Sequence, residues 1–196
     1  MKSSVRIDRR FFERDAVTVA RDLIGHYLVR VSPEGVTKAR IVETESYMGE
    51  IDDAAHSYKG KTERVRTLYG EKGRAYIYLI YGMYNCLNIS AGPEGVPQCV
   101  LIRAAEPVEG TELMEKRRKT DKLTNLCSGP GKLCMAMDIT RELYDEDMVN
   151  GDVLYIEAGE SLDTEASKRI GIDYAEKCRD KLWRFTAVNN KFISKP

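Results

Sequence analysis

The chain has no Cys-x-x-Cys pair, one tryptophan, two histidines and no net charge at pH 7. Each shortage removes a class of function. The cysteines, Cys86, Cys99, Cys127, Cys134 and Cys178, are odd in number, which argues against a disulfide framework, a zinc ribbon or an iron–sulfur cluster. They read as small buried hydrophobes in a reducing compartment. With only His26 and His56 available, a multi-histidine metal site is not expected, nor is any other cofactor. No apolar run approaches the roughly 20 residues of a membrane span, and the N-terminal Met-Lys-Ser-Ser-Val-Arg-Ile-Asp-Arg-Arg lacks the apolar stretch of a leader. These readings predict a soluble, cytoplasmic monomer, nucleoid-associated if the source is bacterial. Basic and acidic residues balance at 31 each, so a polyanionic partner has to be met by a local patch rather than by global attraction. Repeats and low-complexity linkers are absent too, and 196 residues fit one mixed domain spanning 1–196.

What is present centres on Arg74 to Ser90, which holds four of the eleven tyrosines. β-branched and aromatic residues dominate two arms around Gly82, a residue free to take positive φ, so the segment predicts a β-hairpin. Burying this many phenols requires a partner for each hydroxyl, so some of Tyr76, Tyr78, Tyr81 and Tyr84 are expected on a wet surface or in a cleft, where flat rings can stack on bases. Register depends on the loop. A two-residue loop, Gly82-Met83, puts Tyr78 and Asn88 on opposite faces. A three-residue loop, Gly82-Met83-Tyr84, pairs Tyr78 directly with Asn88 on one face.

Elsewhere, Ala16, Val19, Ala20 and Leu23 fall at helical spacing before Gly25. Tyr27 to Val31 and Lys38 to Glu45 alternate as strands around a Pro-Glu-Gly turn. Residues 48–61 read as a loop containing His56. Lys59, Lys61, Arg64, Arg66, Lys72 and Arg74 then form the strongest basic cluster, either a solvated face or a phosphate-contacting rim. Gln98 to Ala105 reads as a strand with Val100 and Ile102 on one face and Leu101 and Arg103 on the other, and an arginine there needs a carboxylate or a cleft. Residues 110–119 form a charged helix, and Gly129-Pro130-Gly131-Lys132 leads into another at Leu133 to Met137, a possible anion site. Residues 151–157 and 183–188 are late strands separated by the polar segment 159–181.

Glu43 and Glu45 share one strand face, continued by Tyr47. Two such carboxylates suit an acid/base pair, or one on the surface and one paired with a cation such as Arg103. Taken in order, Arg40-Ile-Val-Glu-Thr-Glu-Ser-Tyr47, Asp53-Ala-Ala-His-Ser57, Tyr76 to Ser90, Val100-Leu-Ile-Arg-Ala-Ala-Glu-Pro107, Leu126-Cys-Ser-Gly-Pro-Gly-Lys-Leu-Cys134 and Trp183-Arg-Phe185 resemble the alkyladenine (3-methyladenine) DNA glycosylases, the mammalian and bacterial type unrelated to helix-hairpin-helix glycosylases. The likeness runs from about Phe12 to Phe192.

That resemblance implies an α+β fold: one compact domain with a curved, mainly antiparallel sheet, flanking helices and a protruding hairpin. It implies a monofunctional base-excision enzyme acting on damaged purines in double-stranded DNA. Glu45 matches the general base and Arg103 the residue that helps hold the water. Tyr47 matches one wall of the base pocket, and His56 and Tyr78 the other. Asn88 matches the amide that excludes guanine, and a main-chain carbonyl near Ala187 the remaining water contact. Tyr81 matches the residue inserted into the duplex, with Met83 and Tyr84 at the minor groove. Arg64, Lys72 and Lys132 are the candidate phosphate contacts. Two rivals are a noncatalytic nucleic-acid-binding module and a glycoside hydrolase using Glu43 and Glu45; a single tryptophan counts against the second.

Overall fold

Alternating apolar residues gather eight strands into one curled antiparallel sheet in the computed structural model, which describes residues 5–194. The first four residues of the polar N-terminus and the last two of the chain, both included in the expected 1–196 domain, lie outside the described residues. Strands β1 (Tyr27–Ser32), β2 (Gly35–Tyr47), β3 (Ala75–Ile80), β4 (Tyr84–Ala91), β5 (Gln98–Glu109) and β6 (Leu154–Glu157) lie in the order β3-β4-β5-β2-β1-β6. β7 (Thr164–Ser167) pairs with β8 (Arg184–Ala187), and β8 joins β2. β2 organises the sheet. One edge follows β5, while the other pairs with β1 through residues 35–40 and then with β8 through residues 43–45.

Among the described residues four α-helices flank the sheet: α1 (Arg9–Phe12), α2 (Ala16–Asp22), α3 (Thr111–Arg118) and α4 (Pro130–Ala136). The Asp15 carboxylate caps α2 by accepting from the Val17 and Thr18 amides, and the helix buries Ala16, Val19 and Ala20 in the core. α4 starts three residues before the expected Leu133, because Pro130 at its first position has the φ of a helix and no amide to leave unpaired. On β5, Val100 and Ile102 enter the main core while Leu101 and Arg103 face the opposite side, as the alternation predicted. Among the described residues no helix is long and apolar enough to cross a membrane, and all five cysteines are buried and free.

The hairpin forms with a register that neither expected loop describes. Ile80 pairs with Tyr84, so the loop is Tyr81-Gly82-Met83; Tyr76 faces Asn88 and Tyr78 faces Cys86. Tyr81 itself takes the left-handed conformation at φ 52°, followed by Gly82 at 69°. A left-handed aromatic residue is uncommon, which is why the turn could not be placed from the glycine alone. Since the loop is still three residues long, Tyr76, Tyr78, Cys86 and Asn88 share one face, with Tyr78 and Asn88 diagonal neighbours rather than a direct pair.

Candidate active site

The pleat of β2 sends Glu43, Glu45 and Tyr47 to the side away from α2, whereas Thr44 turns back and donates its hydroxyl to the Ala20 carbonyl at 2.7 Å. The β2–β5 register shifts on both sides of Glu43. These irregularities leave Arg103 as an extra residue on β5 and swing its guanidinium across both carboxylates. Its Nε lies 2.9 Å from Glu43 Oε1 and its Nη1 3.4 Å from Glu45 Oε2.

The two glutamates, both fully buried, are satisfied differently. Glu43 Oε1 accepts from Arg103 Nε at 2.9 Å, Arg184 Nε at 2.9 Å and Ser194 Oγ at 2.7 Å, and Oε2 from the Ser194 amide at 2.6 Å. Burial opposes its ionisation, but Arg103, both Ser194 hydrogen bonds and Arg184 outweigh it and hold the carboxyl below the ordinary range. Glu45 takes the Ile170 amide at 2.7 Å on Oε1, and the Tyr47 hydroxyl at 3.0 Å plus the longer Arg103 approach on Oε2. Here burial prevails over Arg103 and pushes the carboxyl up.

Above them opens a cleft of about 740 Å³. Glu45 lies just under its floor, and its three partners, Tyr47, Arg103 and Ile170, all line it. Its lining is aromatic, with Tyr47, His56, Tyr76 and Tyr78 all facing it. His56 packs edge-on against Tyr78 with centroids 4.6 Å apart. Arg64 can only donate, so its approach to His56 Nε2 at 3.3 Å makes that nitrogen an acceptor. The imidazole proton then sits on Nδ1, 2.8 Å from the Tyr76 hydroxyl. Although His56 as a residue remains exposed at the rim, desolvation of the ring by the cleft wall and the Arg64 charge push its pKa down to about 4. Asn88, buried at the base, donates Nδ2 to the Tyr76 carbonyl at 3.1 Å and that of Cys86 at 3.4 Å, which fixes the amide's orientation.

One wall was not visible in the sequence. Ile170, Gly171, Ile172 and Tyr174, inside the stretch read only as polar, close the cleft beside Glu45. Arg169 anchors them: it is fully buried against Asp52 at 2.6 Å, reaches the Ser46 carbonyl at 3.1 Å and stacks 4.7 Å from the Tyr47 ring centre. Asp52, Asp53 and Cys178 lie close enough to suit a metal, but Asp52 is taken by Arg169 and Asp53 accepts the amides of Glu176, Lys177 and Cys178. Ala187, by contrast, is a core residue that does not line the cleft; β8 carries it past Glu43 and away from Glu45.

The hairpin tip stands at the cleft mouth with Tyr81 83% exposed, Met83 66% and Tyr84 40%. Of the three candidate phosphate contacts, Arg64 is exposed on the rim, 5.6 Å over the Tyr78 ring. Lys132 is half-buried, bonded to Asn125 Oδ1 at 2.6 Å, next to the lining residues Pro130 and Gly131. Lys72 has to be withdrawn. It is buried, its ammonium held by the Leu68 and Val96 carbonyls at 2.7 and 2.8 Å, and desolvation lowers its pKa to about 8.

A buried carboxylate–arginine pair thus lies beneath a cleft lined by aromatic rings, on a curled sheet with a projecting hairpin. The chain belongs to the methylpurine-DNA glycosylase family, which residues 10–191 match. It is 49% identical over 191 residues to a protein of Methanocella arvoryzae, covering 96% of each chain. It is 48% identical over 203 residues to one of Clostridium tetani, covering 97% of this chain and all of the relative. A Clostridium acetobutylicum protein is 47% identical over 201 residues, covering 97% and 98%. All three are provisionally named 3-methyladenine DNA glycosylases. The chain is therefore an N-glycosylase of DNA repair.

Proposed function

We propose that the protein rotates an alkylated or deaminated purine out of duplex DNA into this cleft and hydrolyses its N-glycosidic bond without cleaving the strand. The observation that carries the reading is the contrast between the carboxylates: Glu43 is saturated by four donors, whereas Glu45, its ionisation opposed by burial, keeps lone pairs free beside the cleft floor.

A target atom inside a duplex is unreachable, so the nucleotide must swing out, which costs a few kcal/mol and least for a damaged or mispaired base. Tyr81 fills the gap, with Met83 and Tyr84 against the minor groove. The extruded ring enters between Tyr47 and the His56–Tyr78 edge, where an electron-poor alkylated purine stacks well on tyrosine faces. Water sits at the loosest contact Glu45 makes, the 3.4 Å approach of Arg103. As the C–N bond breaks, its electron pair leaves with the purine. The sugar becomes oxocarbenium-like and is stabilised by the anionic Glu45, which takes the water's proton as oxygen bonds to the anomeric carbon. Neutral lesions also need a proton on the leaving base. Asn88, held by two main-chain carbonyls, crowds the 2-amino group of guanine. Among the described residues no lysine lines the cleft, which supports hydrolysis over Schiff-base chemistry.

The test is incubation with duplexes carrying one 3-methyladenine-type, ethenoadenine or hypoxanthine lesion. The expected products are free base and an intact strand with an abasic site, with no adduct on borohydride treatment. A trapped enzyme–DNA adduct or no released base overturns the reading.

A further inference from the structure

Glu43 does not line the cleft, yet four donors converge on it, two of them from Ser194 near the end of the chain. We propose that Glu43 and Ser194 form a positioning pair that aims Arg103 at Glu45, so that the C-terminal Phe192–Ser194 segment belongs to the catalytic apparatus. The inference rests on Glu45 being the base.

A guanidinium is planar, with its donors in a rigid fork, so anchoring Nε sets the direction of both Nη groups. Glu43 binds Nε at 2.9 Å, the Ser194 hydroxyl lies 3.5 Å from Nη2, and the remaining Nη1 is the group facing Glu45. Ser194 holds Glu43 through both amide and hydroxyl and is itself 5% exposed. Its place is kept by Phe192, buried in the main core, and by Ile193, packed against that core. Arg184, from the neighbouring strand β8, meets the same Glu43 oxygen at 2.9 Å. The family match ends at residue 191, so Ser194 lies beyond it.

Fixing Arg103 sideways prevents a two-pronged pair with Glu45, which would occupy the oxygens that water needs and lower the basicity of the carboxylate. Neutralising Glu43 also removes a negative charge whose repulsion favours the protonated form of Glu45. Both effects have one sign: the acid limb of the rate profile moves to lower pH, and the plateau falls because the base is weaker and the water misplaced.

Single-turnover excision across pH, with lesion-duplex Kd, is measured for wild type, Glu43→Gln, Glu43→Asp, Ser194→Ala and Glu45→Gln. Glu43→Gln is expected to lose about 10²-fold in rate, as misplacement by an ångström does, with Kd within about threefold and the acid limb shifted down; Asp restores part of the loss. Ser194→Ala, which keeps the Glu43 charge, is expected to lose about tenfold, the weight of one hydrogen bond, with a smaller shift of the same sign. If Glu43→Gln does not fold, Ser194→Ala decides. An unmoved acid limb in the folded variants, or a loss confined to Kd, overturns the positioning role. Excision surviving in Glu45→Gln instead overturns the base assignment, and the positioning role with it.

Discussion

Glu43 and Glu45 stand two residues apart on one strand, share Arg103 and are both fully buried, yet their environments drive ionisation in opposite directions. The difference lies in the donors. Four strong ones stabilise the Glu43 anion, whereas Glu45 has two close donors and a distant third. Burial raises a carboxyl pKa until enough donors converge to reverse it, so two identical groups on one strand come to hold a proton with different ease.

The strongest way to break this comparison is to remove the carboxylate proposed as proton acceptor. Glu45→Gln keeps the shape and cannot take a proton, so excision should fall by about 10²–10⁴-fold, the usual weight of a general base, with lesion binding nearly unchanged. Single-turnover rates within tenfold of wild type would shift the role to Glu43.

Stability should rank the pair the other way round. Glu43→Gln removes the buried carboxylate that Arg103 and Arg184 share and is expected to cost about 3–5 kcal/mol, as breaking buried pairs does. Glu45→Gln removes a charge that burial disfavours and should be neutral or mildly stabilising. Denaturant unfolding of both variants checks this, and equal losses would erase the distinction.

The pH dependences should also part. Glu43, lowered in the fold, supplies stability that is fully present above its ordinary value of 4.5 and is lost as pH falls below it. Glu45, raised, sets an acid limb of excision above 4.5. His56, at about 4, adds no inflection between pH 5 and 8, which a His56→Gln profile would confirm.

On the cleft floor, Asn88→Ser should relieve the crowding of guanine and raise its excision relative to adenine lesions by about tenfold, since removing a rigid clash acts on the disfavoured substrate. An unchanged ratio would remove Asn88 from selectivity.

The smallest effect contrasts two cations read alike in the sequence. Arg64→Ala should flatten the log–log salt dependence of binding by about 0.9, one phosphate contact. Lys72→Met should leave that slope unchanged, because its ammonium faces two carbonyls.

Local pattern was enough for much of this. Alternation marked β2 and β5, helical spacing marked α2, and the aromatic arms around Gly82 marked the hairpin, because side-chain period and turn chemistry are properties of neighbouring residues. The same alternation put Glu43, Glu45 and Tyr47 on one face and Arg103 opposite the core. The order of motifs carried the family. What only the tertiary structure decided depends on residues far apart in the chain. The hairpin register turned on a left-handed Tyr81. Ile170 became a wall of the cleft because Arg169 pairs with Asp52, 117 residues away. Lys72 was withdrawn from the surface by the Leu68 and Val96 carbonyls. Ser194 was brought 151 residues back to Glu43, and with it came the contrast between the two carboxylates, since a carboxylate's ionisation is set by the donors around it in space and not by its neighbours in sequence.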